Sequence, residues 1–268
     1  MIEAHTATVA GLRVHWHEAK TTRPVLYVHG VPTGGWDWLP FLERTGGAAP
    51  DLPGFARSEK PAGFDYSMDG YADFLEAFVE HLGWERHALV VHDWGTVGLV
   101  YAQRRPERIE RLVMIDNLPL FSDHRWHWIA RIWRTPLLGE LFNRTSSRWG
   151  YRQISRQANA TPGPLPDWFI DRAWADLDAD TNRAILALYR SAPPDVLGPA
   201  GARLGELRCP ALVLWGAQDP YLPPEFARRY AGALGGPAEA EVVDGAGHWP
   251  WLDRPEVIDR VAAFLSAE

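Results

Sequence analysis

The sequence is poor in cysteine and basic side chains, and it has no long hydrophobic run. Its 268 residues include one cysteine, Cys209, so no internal disulfide can form and nothing indicates an oxidising compartment. The net charge is −7, whereas a broad nucleic-acid surface needs a basic excess. No apolar run approaches the ~20 residues of a membrane span, and the first residues lack a signal-peptide pattern. We therefore expect a cytoplasmic globular protein that binds neither nucleic acid nor a membrane.

Short apolar runs alternate with helical patterns along most of the chain. A hairpin is predicted around Gly11, and the apolar residues of 67–82 recur at the three- and four-residue steps of an amphipathic helix. Buried strands are predicted over residues 24–29, 87–91, 112–115, 211–215 and 240–243. This alternation is typical of βαβ units. We predict an α/β fold with a mostly parallel central sheet and helices on both faces.

One stretch interrupts the alternation. Residues 118–201 contain no clear strand, are rich in Trp and Arg, and have the pattern of several short helices joined by a Pro-Gly-Pro loop at 162–164. Sheet elements resume afterwards, and no linker-like segment separates this stretch from the rest. We therefore predict one α/β domain, formed by residues 1–117 and 202–268, with a helical cap inserted at 118–201.

The motif with the clearest chemistry is Val91-His92-Asp93-Trp94-Gly95, at a predicted strand-to-helix junction. A tight turn there lifts the central side chain above the sheet and brings backbone N–H groups beside it. A carboxylate suits attack on an alkyl carbon that carries a leaving group, because the resulting ester can be hydrolysed by water. Asp93 is therefore a candidate nucleophile, the alternative being a helix cap. His92 is expected to point into the fold.

Three further motifs follow predicted strands. His29-Gly30-Val31-Pro32 forms a turn that can aim an N–H group at a developing oxyanion. Asp219 lies just past a later strand, and His248 follows the next one, so the chain order is nucleophile, acid, histidine. His248 would activate water and Asp219 would orient its ring. Asp116, which also follows a strand, is the alternative acid.

These motifs, with Asp51-Leu52-Pro53-Gly54-Phe55-Ala56-Arg57-Ser58, resemble those of α/β-hydrolase-fold enzymes in the group that contains epoxide hydrolases and haloalkane dehalogenases. The resemblance spans nearly the whole chain, and it is more specific for the fold and for an Asp nucleophile than for the substrate. It implies a small, apolar, electrophilic substrate and a covalent alkyl ester on Asp93. The oxyanion and leaving-group region would comprise Val31, Trp94 and His29.

Two substrate classes remain open at this point. Epoxide hydrolases resemble this chain in having a cap Tyr, followed by Arg, that donates a proton to the epoxide oxygen. Tyr189-Arg190 matches that pattern and lies 30 residues before Asp219. Tyr151 is the other cap tyrosine, although Phe142 lies nearer to the place where a second family tyrosine is expected.

Haloalkane dehalogenases, in contrast, need two donors around the departing halide. Trp94 resembles one of them, whereas the place of the second, often an Asn after His-Gly, is taken by Val31, which leaves a cap Trp as the candidate. Pro32-Thr33 and the apolar Val91 resemble the dehalogenases more closely. We favour hydrolysis of an epoxide to a diol with Tyr189 as the acid. The alternatives are dehalogenation of a haloalkane and a non-catalytic protein that binds small ligands.

The 14 tryptophans indicate where a substrate would bind. Six lie within residues 118–201 and others follow the nucleophile and the His-Gly turn, so we expect half or more to surround one site and exclude water. The candidate pocket residues are Trp36, Tyr151, Trp133 and Trp149. No metal-ligand spacing and no Gly-rich phosphate loop is present, so we expect neither a metal nor a cofactor. A monomer or a homodimer is expected.

Overall fold

The computed structural model describes residues 1–267, and its centre is an eight-stranded sheet. The strands are β1 (Ile2–Val9), β2 (Leu12–Ala19), β3 (Val25–Val28), β4 (Gly47–Pro50), β5 (His87–Asp93), β6 (Ile109–Asn117), β7 (Ala211–Gly216) and β8 (Ala238–Val243). They are arranged in the order β1-β2-β4-β3-β5-β6-β7-β8. β1 pairs antiparallel with β2 and β2 with β4, while every other neighbouring pair is parallel. The predicted α/β fold with a mostly parallel sheet is confirmed.

One strand was missing from the sequence prediction. β4 has the sequence Gly-Ala-Ala-Pro, which lacks the β-branched and aromatic residues that mark strands. It is nevertheless fully buried between β2 and β3, where small side chains leave room for the packed layers on either face. Tertiary packing overrides local propensity at this strand.

Twelve α-helices accompany the sheet in the described chain. They are α1 (Leu39–Thr45), α2 (Met68–His81), α3 (Val97–Arg104), α4 (Trp128–Arg134), α5 (Leu138–Thr145), α6 (Arg148–Ser155), α7 (Asp167–Asp176), α8 (Ala179–Ser191), α9 (Pro194–Ala200), α10 (Glu225–Ala233), α11 (Pro250–Asp253) and α12 (Glu256–Ser266). The longest, α2, has 14 residues. No helix within residues 1–267 combines the length and apolarity needed to cross a bilayer.

The helix α2 shows how local sequence sets these elements. The Ser67 side chain accepts a hydrogen bond from the Gly70 N–H group and so caps the first turn. Beyond the last turn, Gly83 takes a φ of +69°, a conformation that glycine adopts without strain. The apolar side of the helix, which includes Phe74 and Phe78, is buried against the sheet.

The strands are buried on both faces because helices cover both. In β5, Leu89 and Val91 belong to one core cluster, together with apolar residues of α2, α3 and α10. The alternate residues Ala88 and Val90 belong to the other, with residues of α1 and α12. Successive strand side chains point to opposite faces, so a continuous apolar run is what a doubly covered strand requires.

Six of the helices, α4 to α9, lie between β6 and β7. The described chain has no strand between Asn117 and Ala211, which matches the break in the sequence pattern. These helices stand at the carboxyl ends of the parallel strands, since residues of α4, α6 and α8 share one cavity with Asp93 at the end of β5. The bounds 118–201 for a cap remain a prediction.

Candidate active site

Asp93 is the last residue of β5 and has a φ of +50° and a ψ of −118°. A non-glycine residue in this region is strained and is held only where the surroundings enforce it. Gly95 allows the turn to lie against β3, because a Cβ atom there would come within 2.2 Å of the Val28 carbonyl oxygen. The tight turn therefore presents the Asp93 carboxylate above the sheet, in the position expected of an elbow residue.

Backbone N–H groups face this carboxylate. The Val31 N–H donates to Oδ1 of Asp93 at 2.8 Å, and the Trp94 N–H acts to lower the pKa of the same carboxyl group. The turn after β3 that carries Val31 includes a cis peptide bond to Pro32. The two N–H groups that the sequence suggested for an oxyanion thus both face the Asp93 carboxylate.

The side chain of His29 does not belong to this donor set, which corrects its place in the predicted leaving-group region. Its Nδ1 donates to the Gly30 carbonyl oxygen at 2.7 Å, and its Nε2 accepts the Leu52 N–H at 2.9 Å. With both nitrogens engaged and the ring buried, His29 fixes the loop after β4 against the turn.

Asp93 is a buried acid, with 7% of its surface exposed. Burial raises the pKa of its carboxyl group, because the charged form loses water, while the charge of His248 and the N–H groups of Val31 and Trp94 oppose that rise. The nearby carboxylate of Asp219 adds to it. A desolvated carboxylate with few donors is a more reactive nucleophile than a hydrated one.

His248 connects the two acids. Its Nδ1 donates to Oδ2 of Asp219 at 2.8 Å, and its Nε2 lies 3.6 Å from Oδ2 of Asp93. Burial alone would lower the pKa of His248, but the charges of Asp219, Asp93 and Asp37 outweigh it and raise the pKa. The N–H groups of Tyr221 and Leu222 hold the other oxygen of Asp219.

Asp116, the alternative acid, lies beside this pair without touching the histidine nitrogens in a hydrogen bond. Its Oδ1 accepts the Gly216 N–H at 2.9 Å. Burial and the charge of Asp219 raise the pKa of Asp116 well above its ordinary value. In this arrangement Asp219, rather than Asp116, is the hydrogen-bonding partner of His248, and Asp116 lies next to Asp219.

Two backbone contacts hold the loop of His248. Nε2 of His92 donates to the carbonyl oxygen of His248 at 2.8 Å, which accounts for a buried histidine next to the nucleophile. The N–H of His248 in turn donates to the Ala158 carbonyl oxygen at 2.9 Å. The histidine loop is thus attached both to the elbow and to the inserted helices.

A cavity of about 270 Å³ opens above Asp93 and His248. Its wall is largely apolar and aromatic, with a few polar groups, as is usual for small-molecule sites. Tyr189 and Trp133, both predicted, lie in the wall, as do Tyr151 and Phe142, the two residues weighed for a second tyrosine. The remaining aromatic members are Trp174, Tyr221 and Trp249.

Trp36 and Trp149 lie outside the cavity, so two of the predicted pocket residues are wrong. Trp36 packs on Phe169, and its indole N–H donates to Asp176 at 3.0 Å. Trp149 is 71% exposed because it lies two residues before Tyr151, about 200° around the same helix. Among the described residues three tryptophans line the cavity, fewer than the half or more that we expected.

Trp94 and Tyr189 contact each other edge to face, with ring centroids 4.9 Å apart. The indole of Trp94 also stacks on Trp126 at 5.8 Å and is almost completely buried. The Trp94 side chain lies beside the Tyr189 hydroxyl group and opposes the rise that burial causes in the pKa of that tyrosine.

Tyr221 is the cavity residue that sequence analysis missed. Its ring stands edge-on to His248 at 5.0 Å, and its hydroxyl oxygen accepts the Gln157 amide N–H at 3.2 Å. The Gln157 amide oxygen accepts the Trp128 indole N–H at 3.3 Å. Tyr221 stands only two residues after Asp219, a spacing that could have indicated its place beside the histidine.

Comparisons with known proteins agree with this geometry. The family model described as alpha/beta hydrolase fold matches residues 23–255. A haloalkane dehalogenase of Mycolicibacterium paratuberculosis is 30% identical, over 91% of this chain and 84% of that protein. A soluble epoxide hydrolase of a Corynebacterium species is 35% identical over 44% of this chain and 43% of that protein. The crystal structure of haloalkane dehalogenase DbeA from Bradyrhizobium elkani superimposes with a TM-score of 0.85 at 26% identity, covering 99% of this chain and 98% of that one.

The chain belongs to the α/β-hydrolase fold family. The predicted resemblance is therefore confirmed, and so is the prediction of a hydrolytic enzyme of this fold.

The close approach of the His-Gly turn to Asp93 generates a stability prediction. A Cβ atom at Gly30 would lie 2.5 Å from the Asp93 Cβ and 2.6 Å from its Oδ1. Neither the strained elbow nor the turn has room to yield, so Gly30→Ala should lower the free energy of unfolding by about 1–3 kcal/mol. Urea denaturation followed by circular dichroism measures the change.

Gly63→Ala is the matched control, because nothing lies within 4 Å of a Cβ atom at that position. It should stay within about 0.5 kcal/mol of the parent protein. Equal stabilities for the two variants would show that Gly30 is not confined by Asp93.

Proposed function

We propose that this protein is an epoxide hydrolase in which Asp93 forms a covalent ester and Tyr189 protonates the leaving oxygen. One observation carries the choice: Tyr189 lines the cavity that Asp93 also lines, which supplies a phenolic proton on the wall of the same site. Burial, together with the charge of Asp93, raises the pKa of Tyr189 well above its ordinary value. The hydroxyl group therefore keeps its proton until an alkoxide develops within reach.

In the first step, Oδ2 of Asp93 attacks one carbon of the epoxide and the carbon–oxygen bond of the ring breaks. The ring oxygen takes the electron pair of that bond and receives the proton of Tyr189. The product is a hydroxyalkyl ester of Asp93 and a tyrosinate. The apolar wall favours this step because it excludes water that would otherwise solvate the nucleophile.

In the second step, His248 takes a proton from water, and the hydroxide adds to the carboxyl carbon of the Asp93 ester. The negative charge that develops on Oδ1 is held by the N–H groups of Val31 and Trp94. Collapse of this intermediate breaks the bond between the carboxyl carbon and Oδ2. The alkoxide released with that oxygen takes the proton of the added hydroxyl group and leaves as the diol, which restores the Asp93 carboxylate. The proton on His248 returns to the tyrosinate through solvent.

The charges of the site suit this sequence of events. In the free enzyme the charge of Asp93 contributes to the raised pKa of His248. Ester formation removes that charge, so the pKa of His248 falls in the intermediate, which favours the neutral imidazole that can act as a base. Formation of the ester thus favours the next step, in which His248 acts as the base.

Haloalkane dehalogenation is the second candidate, and the relatives named haloalkane dehalogenase favour it. A departing halide accepts hydrogen bonds but needs no proton. Of the donors that the resemblance suggests for it, the Trp133 indole N–H donates to Asn143 at 2.8 Å, and the Trp94 ring packs edge to face on Tyr189 and is not part of the cavity wall. This arrangement supports the epoxide more than the halide.

Tyr189→Phe tests the proposal directly. Without the phenolic proton the alkoxide must leave uncompensated, so diol formation from styrene oxide should fall about 10²–10⁴-fold. Bromide release from 1-bromobutane, if the parent protein shows any, should be unaffected because a halide leaves without a proton. Gas chromatography of the diol and a bromide electrode provide the two measurements.

Tyr66→Phe is the control, since that hydroxyl group donates to the Pro61 carbonyl oxygen and Tyr66 is not part of the cavity wall. It should retain diol formation. Bromide release that is untouched by Tyr189→Phe, in a protein that makes no diol from any epoxide, would assign the chain to dehalogenation instead.

His248→Gln should separate the two half-reactions. Ester formation needs Asp93 and the proton of Tyr189 but not His248, whereas hydrolysis needs the base, so the variant should accumulate an adduct. Intact-mass spectrometry after addition of styrene oxide should show a gain equal to the mass of the epoxide, and peptide mapping should place it on Asp93. If no epoxide or haloalkane changes the mass while a ligand still raises Tm, the protein binds small molecules without catalysis.

A further inference from the structure

Asp37 is another buried acid near the site, and the proposed mechanism does not use it. It lies in the 3-10 turn Gly35–Trp38 that follows the Val31 turn, and 3% of its surface is exposed. Its Oδ2 accepts the Trp249 indole N–H at 3.1 Å. Its Oδ1 accepts no hydrogen bond from any residue of 1–267. A buried carboxylate with so little hydrogen bonding is costly unless a nearby positive charge compensates it.

His248 is a source of such a charge, since its charge acts to lower the pKa of Asp37. Trp249, which donates to Asp37, directly follows His248, and the two rings meet edge to face at 4.7 Å. The charge of Asp37 acts on His248 in the direction that favours the imidazolium, as do the charges of Asp219 and Asp93. Asp37 therefore contacts the histidine loop through the Trp249 hydrogen bond, and its charge stabilises the protonated ring of His248.

Other titratable groups face the same region and must be considered with it. Around Asp37 these are His248, Asp93 and Tyr151. Around His248 they are Asp219, Asp93, His92 and His127. Burial lowers the pKa of His92 and of His127, so both rings are neutral at pH 7 and supply no cation to Asp37. His248 is left as the one ring among them that can carry the compensating charge.

We propose that Asp37 is a positioning residue of the active site: it holds the histidine loop through Trp249 and supplies a negative charge that stabilises protonated His248. The inference concerns the histidine itself and rests on the proposed function only for its effect on turnover. Burial raises the pKa of Asp37 to about 7, although Thr33, Trp249 and His248 act to lower it. Its charge therefore appears in the neutral range, in which the base of the hydrolysis step must lose its proton.

Asp37→Asn provides the test, because the amide oxygen can still accept the Trp249 N–H while the charge is gone. Removing a negative charge destabilises the imidazolium, so the pKa of His248 should fall, by on the order of 0.5 to 1 pH unit. Proton–nitrogen correlation NMR of the free, substrate-free protein measures the titration. The His248 signals are identified by their absence in His248→Gln.

Asp73→Asn, the same substitution at an exposed position of α2, is the control and should leave the titration of His248 unchanged. If Asp37→Asn fails to fold, Trp249→Phe replaces it: loss of the indole donor raises the pKa of Asp37, so the pKa of His248 should again fall.

An unchanged titration of His248 in Asp37→Asn would overturn the proposal and leave Asp37 a purely structural acceptor. Because the measurement uses no substrate, it stands even if the protein hydrolyses no epoxide. In an active enzyme, the acidic limb of the turnover profile should move to lower pH together with the NMR titration, since the base loses its proton more readily.

Discussion

The hydrogen bond from the Val31 N–H to Oδ1 of Asp93 is the contact on which the site depends. It joins the turn after β3 to the turn after β5, two loops that are 62 residues apart in sequence. The two strands pair in parallel, so their carboxyl ends meet at one edge of the sheet, as parallel strands require. A buried carboxylate needs such donors, and the same donors can later hold an oxyanion on the same oxygen.

The charge balance around that contact is unusual. Four buried carboxyl groups, those of Asp93, Asp219, Asp116 and Asp37, surround His248. They cannot all be charged in so small an apolar space. The raised pKa of Asp116 favours its neutral form, and the raised pKa of His248 favours the imidazolium that the other carboxylates stabilise. The protonation of the site is therefore shared among several groups, and formation of an ester on Asp93 would redistribute it.

Much of this arrangement could be predicted from local pattern. Buried strands, stopped by glycine or followed by a polar residue, revealed the sheet and placed Asp93, Asp219 and His248 at one edge of it. The prediction works because the geometry of a parallel sheet, rather than any long-range detail, brings those residues together. The strand β4 was not predicted because its small residues lack the sequence pattern of a strand.

The directions of side chains on loops and inserted helices could not be predicted in the same way. Trp36 and Trp149 were expected in the pocket, but Trp36 finds a partner in α7, and Trp149 lies on the solvent side of its helix. Trp94 was a candidate halide donor, yet its indole contacts Tyr189. Such contacts join segments that are distant in sequence, and they depend on how the helices pack rather than on any local pattern.

The most direct test of the account follows one oxygen atom through a single turnover in ¹⁸O-labelled water, with enzyme in excess over styrene oxide. If Asp93 is the nucleophile, the diol takes its new oxygen from the carboxylate and emerges unlabelled. Mass spectrometry should then find the heavy isotope in the peptide that contains Asp93. A diol labelled in that first turnover, with an unlabelled Asp93 peptide, would show that water attacks the epoxide directly and would contradict the covalent mechanism.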